Sequence, residues 1–231
     1  SDRMGLTSRW NVDADFSRVR DAILNGTSAE EWVPVCPTVL HPKLRVDGND
    51  LRGLKVVGGV LGETDLGSSL LDYASFSNVS FERTWLHWCG LTGASFVHSS
   101  WNGVQAMPIF GEETSFVECK LSKSELHESD LNRVLFESCA LVELDFHSSK
   151  LFGLVFKQSV VKDSSFYRCA LDCAYMASSI FDLCSFRMAS LVSADLNGVT
   201  FESCDLSGAD LQGVDFKSTK FIGGTFGIVE H

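Results

Sequence analysis

The chain has 231 residues, 45% of them hydrophobic, and a formal charge of −11 from 30 Asp and Glu against 19 Lys and Arg. That length can bury one sizeable core, and no apolar run approaches the roughly 18 residues of a membrane span. An acidic balance also argues against direct nucleic-acid binding, which needs a basic surface, and without a secretory signal pattern a cytoplasmic location is expected.

Three segments follow one another: residues 1–45, residues 46–226 and a tail at 227–231. In the first, Asp13 is placed as the N-cap of a helix running to Leu24, with Phe16, Val19 and Ile23 on one face and Gly26 beyond its end. Ser28-Ala29-Glu30-Glu31 reads as a capping box opening a short turn that Pro34 stops. Trp10, Phe16, Val19, Ile23 and Trp32 form the apolar side of this small helical cap, and residues 35–45 continue as an extended arm.

From Val46 to Phe226 a residue recurs every five positions without a slip of phase, and it is large and apolar at 35 of 37 positions. A period of five matches neither a strand nor a helix, so these side chains share one interior only if the chain turns a corner every five residues. The segment is therefore a solenoid. In Ala194-Asp195-Leu196-Asn197-Gly198 and Ala209-Asp210-Leu211-Gln212-Gly213 the register is plain: position i is large, i−2 is small, and the others are polar or Gly. Gly at i+2, as in Gly53, Gly58 and Gly208, is expected to supply the corner. The large residue is missing at Ala106 and Gly111, where Ile109 is placed to fill the gap. Leu44, Leu54, Leu144 and Leu154 are oversized at i−2, and their coils are expected to be wider or distorted.

Six of the eight cysteines, Cys89, Cys119, Cys139, Cys169, Cys184 and Cys204, stand at i−2. They read as small core residues in a reducing compartment rather than as a disulfide framework. The charge resides in the repeat: residues 46–226 hold 13 Lys and Arg against 23 Asp and Glu, while residues 1–45 hold six of each sign.

The pattern Ala, Asp or Asn, Leu or Phe, then two variable positions resembles the pentapeptide-repeat family. That resemblance implies an all-β solenoid, a right-handed quadrilateral β-helix with four pentapeptides per coil and hence about nine coils for 37 repeats. Outward residues four repeats apart then become neighbours in columns. Leu135, Val155 and Tyr175 stack on one face beside Ala140, Val160 and Ile180 on the next, with Val142 and Leu183 adjoining. Apolar side chains where polar ones belong mark a candidate interaction surface, unless residues 35–45 fold over it. Trp85, Trp88, Met107 and Phe110 form a second cluster, which either meets a partner or covers the irregular coil at Gly111. Glu125, His127, Asp145 and His147 make a two-by-two array that reads mainly as a solvated ladder, with metal binding the lesser alternative.

At the C-terminal end Phe216, Phe221 and Phe226, followed by Ile228, leave an apolar core open, which predicts a homodimer joined through those residues. No Walker A segment, GxSxG elbow or HExxH motif is present, and the sides of a filled solenoid offer no deep cleft, so an enzyme is not expected and no cofactor is implied. The best understood members of the family bind type II topoisomerases and protect them from drugs or toxins, in some cases as fluoroquinolone-resistance proteins. Two functions follow: a non-catalytic scaffold that binds a protein partner through its surface, or an acidic DNA mimic that binds DNA gyrase.

Overall fold

The computed structural model describes residues 3–227. Two helices open it, α1 (Arg3–Val12) and α2 (Ala14–Leu24), followed by one turn of helix, α3 (Ala29–Trp32). Asp13 caps α2 as expected, its carboxylate accepting from the backbone N–H groups of Asp15 and Phe16. Helix α1 has no counterpart in the sequence reading. Its sequence alternates polar and apolar residues too irregularly to show one face. Ser28 precedes α3 without a side-chain cap, and Pro34 lies inside a 3₁₀ turn, Val33–Val35, rather than ending the structure. Part of the segment read as an extended arm pairs with the first residues read as repeat, forming a hairpin of β1 (Thr38–Leu40) against β2 (Asp47–Asn49). Val46, the first member of the five-residue series, is 54% exposed in that hairpin. The solenoid core therefore begins at Leu51, five residues later.

Beyond the hairpin the chain coils as a right-handed β-helix of about eight turns. Every parallel pairing joins a residue to the one 20 positions later, as in Ser75↔Ser95 and Thr200↔Lys220. This spacing gives four faces. The first runs through Asp50, Leu70 and Gly90 to Asp210, and the second through Lys55, Ser75 and Ser95 to Asp215. The third runs from Val60 to Lys220, and the fourth from Asp65 through Trp85 and Gln105 to Thr225. The third face is a continuous nine-stranded parallel sheet that starts at β4 (Val60–Gly62) and ends at Lys220–Ile222. The second starts at β3 (Lys55–Val57). Nine rungs have eight intervals, so the count agrees with the nine coils expected from 37 repeats.

The strand spacing of about 4.8 Å is also a comfortable ring-stacking distance, and the core uses it. Phe76, Phe96, Phe116, Phe136 and Phe156 form one ladder inside the second face, with ring centroids 4.8–5.1 Å apart. Phe146, Phe166 and Phe186 form another inside the fourth, at 5.1 and 4.9 Å. Leucines line the first face. Phase is unbroken at Ala106 and Gly111, where bridges Gln105↔Glu125 and Phe110↔Asp130 continue the columns. Ile109 is fully buried there, and a Cβ on Gly111 would meet Leu131 Cδ2 at 2.9 Å, so neighbours already occupy the space.

Corners turn through a left-handed residue at i+2 in nearly every pentapeptide, whether or not it is glycine. Non-glycine examples include Glu63, Tyr73, Trp88, Arg133 and Leu183, with φ of 48–63°. The i−2 residues support these corners with hydrogen bonds. Ser129 Oγ accepts from the buried N–H of Ile109 at 2.9 Å, and Ser149 Oγ accepts from Ser129 N at 3.0 Å and donates to Leu126 O at 3.0 Å. Cysteines act in the same way: Cys89 Sγ donates to Leu66 O at 3.0 Å and Cys169 Sγ to Phe146 O at 2.9 Å. Burial pushes the Cys169 thiol up to about 12, so it keeps its donating proton at neutral pH. All eight cysteines are free thiols, and Cys173 is exposed. Among the described residues no helix is long and apolar enough to cross a membrane.

Candidate interaction surface

Residues at i−1 point outward beside the core residue i, and the 20-residue register stacks them directly. Leu135 pairs with Val155, and Val155 bridges to Tyr175 on the second face. Ala140 pairs with Val160, and Val160 with Ile180, on the third. These are the neighbours the columns predicted. Val160, Tyr175, Ile180 and Leu183 are 42–51% exposed, while Leu135, Val155 and Val142 are half-buried. Phe152, at 48%, adds an apolar side chain on the adjoining first face that the column reading did not include. It stands at i+1 rather than i−1, and only an unbiased search for apolar residues outside positions i and i−2 would find it. Polar groups fringe the area, with Lys162 and Asp182 paired at 3.8 Å. The hairpin β1–β2 does not fold over this surface, because it seats elsewhere.

Its seat is the second cluster. His41, at the hairpin tip, is buried against Phe110, with ring centroids 5.8 Å apart. Its Nδ1 accepts from the backbone N–H groups of Lys43 and Leu44 at 3.2 Å, which leaves Nε2 as the protonated nitrogen donating to Trp88 O at 2.8 Å. Lys43 Nζ lies 5.9 Å from the Phe110 ring, and Trp88 packs 6.2 Å from the same ring. Trp88 and Phe110 thus stand together beside the hairpin, and the half-buried Met107 precedes Pro108, whose carbonyl accepts from Trp88 N, while Trp85 stands on the fourth face. Trp85 instead borders the cleft between that face and the helical cap.

The ionisable array also assembles. The imidazoles of His127 and His147 stack at 4.4 Å, and Asp145 accepts from the N–H and Nδ1 of His147 at 2.9 Å. Glu125 lies 3.9 Å from His127 Nε2. Among the described residues no group of three or more His, Cys, Asp or Glu is arranged to hold a metal ion. At the far end Phe216, Phe221 and Phe226 are 44%, 38% and 44% exposed, and Phe221 and Phe226 meet edge to face at 4.9 Å. Ile228 lies outside the described residues.

The family model for pentapeptide repeats matches eight copies over residues 184–223. No curated protein matches the chain. Among solved structures, the chain is similar to HetL, a pentapeptide-repeat protein involved in heterocyst differentiation regulation from the cyanobacterium Nostoc sp. strain PCC 7120. The two are 19% identical over 74% of this chain and 86% of that one, with a TM-score of 0.42. It is also similar to full-length QnrB1, a plasmid-mediated fluoroquinolone resistance protein, at 15% identity over 71% and 93% of the two chains and a TM-score of 0.41. Residues 184–223 therefore carry pentapeptide repeats, and they share one unbroken five-residue register with the rest of the solenoid.

Proposed function

We propose that this solenoid is a non-catalytic scaffold that binds a protein partner through the apolar surface of its second and third faces. The observation that carries the reading is the uncovered stack of Val155, Tyr175, Val160 and Ile180, with Leu183 beside it, at positions the repeat otherwise gives to polar residues. Exposed aromatic and aliphatic side chains in contiguous columns are the kind of surface that partners desolvate. Binding through them should persist as salt rises, since apolar docking is not screened. The test is partner capture at low and high salt with the wild type and with Tyr175→Asp and Ile180→Asp. A partner lost on raising salt, or held equally by both variants, overturns the reading.

A second reading is favoured by the charge of −11: an acidic rod that imitates DNA toward a type II topoisomerase. The fourth face is where carboxylates align, at Asp65, Glu125, Asp145 and Asp205, but Trp85, Gln105, Ser165 and Ser185 interrupt them. A DNA gyrase supercoiling and drug-cleavage assay decides it, and no effect at tenfold molar excess removes it. Under either reading, exposed Phe216, Phe221 and Phe226 are proposed to join two chains at their C-terminal ends. Light scattering after size exclusion checks this, with a monomer at micromolar concentration as the contrary result.

A further inference from the structure

A β-solenoid repeats its hydrogen bonds as well as its side chains, so the first coil shows which groups lack a preceding rung. In later coils the N–H at i−1 donates back to the previous coil: Ser80 N to Gly59 O at 3.0 Å, Trp85 N to Thr64 O at 2.9 Å, Ser100 N to Val79 O at 3.0 Å. The i−1 carbonyl accepts from the same direction, as Trp85 O does from Leu66 N at 2.9 Å. Val60 and Asp65 occupy these positions in the first coil, and β4 is the terminal strand of its sheet. On the first face the hairpin and cap replace the missing rung, with Asp50 N donating to Pro37 O at 2.8 Å and Arg52 O accepting from Arg9 and Trp10. On the third and fourth faces no described segment pairs with this edge.

The cap stands back from that edge and leaves a cleft of about 580 Å³. Its apolar lining includes Ile23, Trp32 and Val33 from the cap and Val60, Leu61 and Trp85 from the coils. Its charged lining is acidic, at Glu30, Glu63 and Asp65, with no Lys or Arg among the lining residues. Glu63 is engaged by Arg83 at 2.6 Å, and Asp65 accepts from Gly67 N at 2.8 Å. Glu30 has no such partner among the described residues.

We infer that this cleft binds an extended segment of a partner protein, rich in alternating basic and apolar side chains, which adds as a strand to β4 at Val60–Gly62 and follows the chain round the corner at Glu63 to Asp65. Three features converge on that occupant. An unpaired edge presents donors and acceptors at the spacing of a strand. Alternate side chains of the incoming strand face opposite ways, so one set faces inward over Leu61 while the other faces outward beside Val60 and Asp65. The rim is acidic, which selects Lys and Arg. The site is separate from the surface proposed above, and neither depends on the other.

The probe is an acetylated octapeptide of alternating Val and Lys, titrated against the full chain by fluorescence anisotropy, with amide exchange read at Val60 and Asp65. Binding is expected to slow exchange at both amides at least tenfold. An N-methylated peptide, which lacks the backbone donors, and a Val–Glu peptide should each bind at least tenfold more weakly. Val60→Pro removes an edge donor that no described group accepts, and it should cost at least tenfold in affinity with an unchanged melting temperature. No binding at millimolar peptide, equal affinity for the N-methylated peptide, or binding without protection at Val60 and Asp65 each overturns the inference. Protection that appears without peptide and rises with protein concentration would assign the edge to a second copy and likewise overturn it.

Discussion

Arg9 of helix α1 grips Asp50 of the first coil in a two-pronged ion pair, with Nη1 to Oδ2 and Nη2 to Oδ1 both at 2.7 Å. Arg52 approaches the same carboxylate, Nε to Oδ1 at 2.8 Å, and Trp10 Nε1 donates to Arg52 O at 2.9 Å. Asp50 is thus the post to which the helical cap is tied. Burial alone would raise its pKa, but hydrogen bonds from Arg52 and Arg9 outweigh burial and lower it from 3.8 to about 2.

The sign of the acid response follows. A carboxylate with a depressed folded pKa contributes stability that is full above its unfolded value near 3.8 and lost as pH falls through about 2. Lowering pH across that window should free the cap before the coils, seen by NMR as loss of the Trp10 indole N–H signature. Asp50→Asn should abolish the acid step and destabilise the cap at neutral pH by about 3 kcal/mol, because Arg9 and Arg52 lose their charge partner. A cap equally secure in Asp50→Asn would contradict the assignment.

A hydroxyl in the core makes a second prediction. Ser129 fills a small position, yet Ile109 N–H depends on its Oγ at 2.9 Å. Ser129→Ala keeps the volume and removes the acceptor, leaving a buried N–H unmatched at a cost of about 1–3 kcal/mol. Ser129→Cys should lose less, since a thiol keeps the donation that Ser129 Oγ makes to Ala106 O at 3.4 Å, as Cys89 and Cys119 do at equivalent corners. Urea denaturation measures the totals, and amide exchange at Ile109 locates the loss. Equal stability of Ser129→Ala and wild type would show that volume alone matters there.

Gly48 is required by close approach rather than by its torsion. A Cβ there would lie 2.1 Å from Ser68 O, a backbone atom that cannot swing aside. Gly48→Ala should therefore lift strand β2 from the first coil and break the His41–Trp88 hydrogen bond at the hairpin tip. Expected readouts are a melting temperature lowered by several degrees and a His41 ring proton that exchanges freely. Retention of that proton would place the clash elsewhere.

These predictions separate what the sequence carried from what it did not. The five-residue period located the core from Leu51 onward, and the four-repeat coil implied by the family resemblance made Val155, Tyr175, Val160 and Ile180 neighbours, because in a solenoid the coil length fixes adjacency. It could not place the hairpin. Val46 kept the period while leaving the core, and the choice between covering Leu135–Leu183 and covering Trp88–Phe110 rests on His41, a single residue without a pattern. The small residues at i−2 were legible as small but not as hydrogen-bonding groups, since Ser, Thr and Cys share both properties. The first-coil edge was hidden for a similar reason: it is a property of backbone groups, which every residue carries alike.

The corner residues yield the last prediction, which divides stability from binding at one site. Leu183 is 51% exposed with φ of 54°, a left-handed conformation that disfavours a branched aliphatic side chain by about 1 kcal/mol. It makes little use of burial in return, so stability does not account for a leucine here. Asn tolerates this conformation better and removes the apolar surface beside Ile180. Leu183→Asn should then leave the melting temperature unchanged or raise it slightly, while weakening any partner that docks on the second and third faces at least threefold. Ser148→Asn, at a corner with φ of 57° between the fourth and first faces, is the control that should change neither. If Leu183→Asn instead lowers stability by more than about 1 kcal/mol, the leucine is packing for the fold, and the apolar columns lose their claim to be a surface held for a partner.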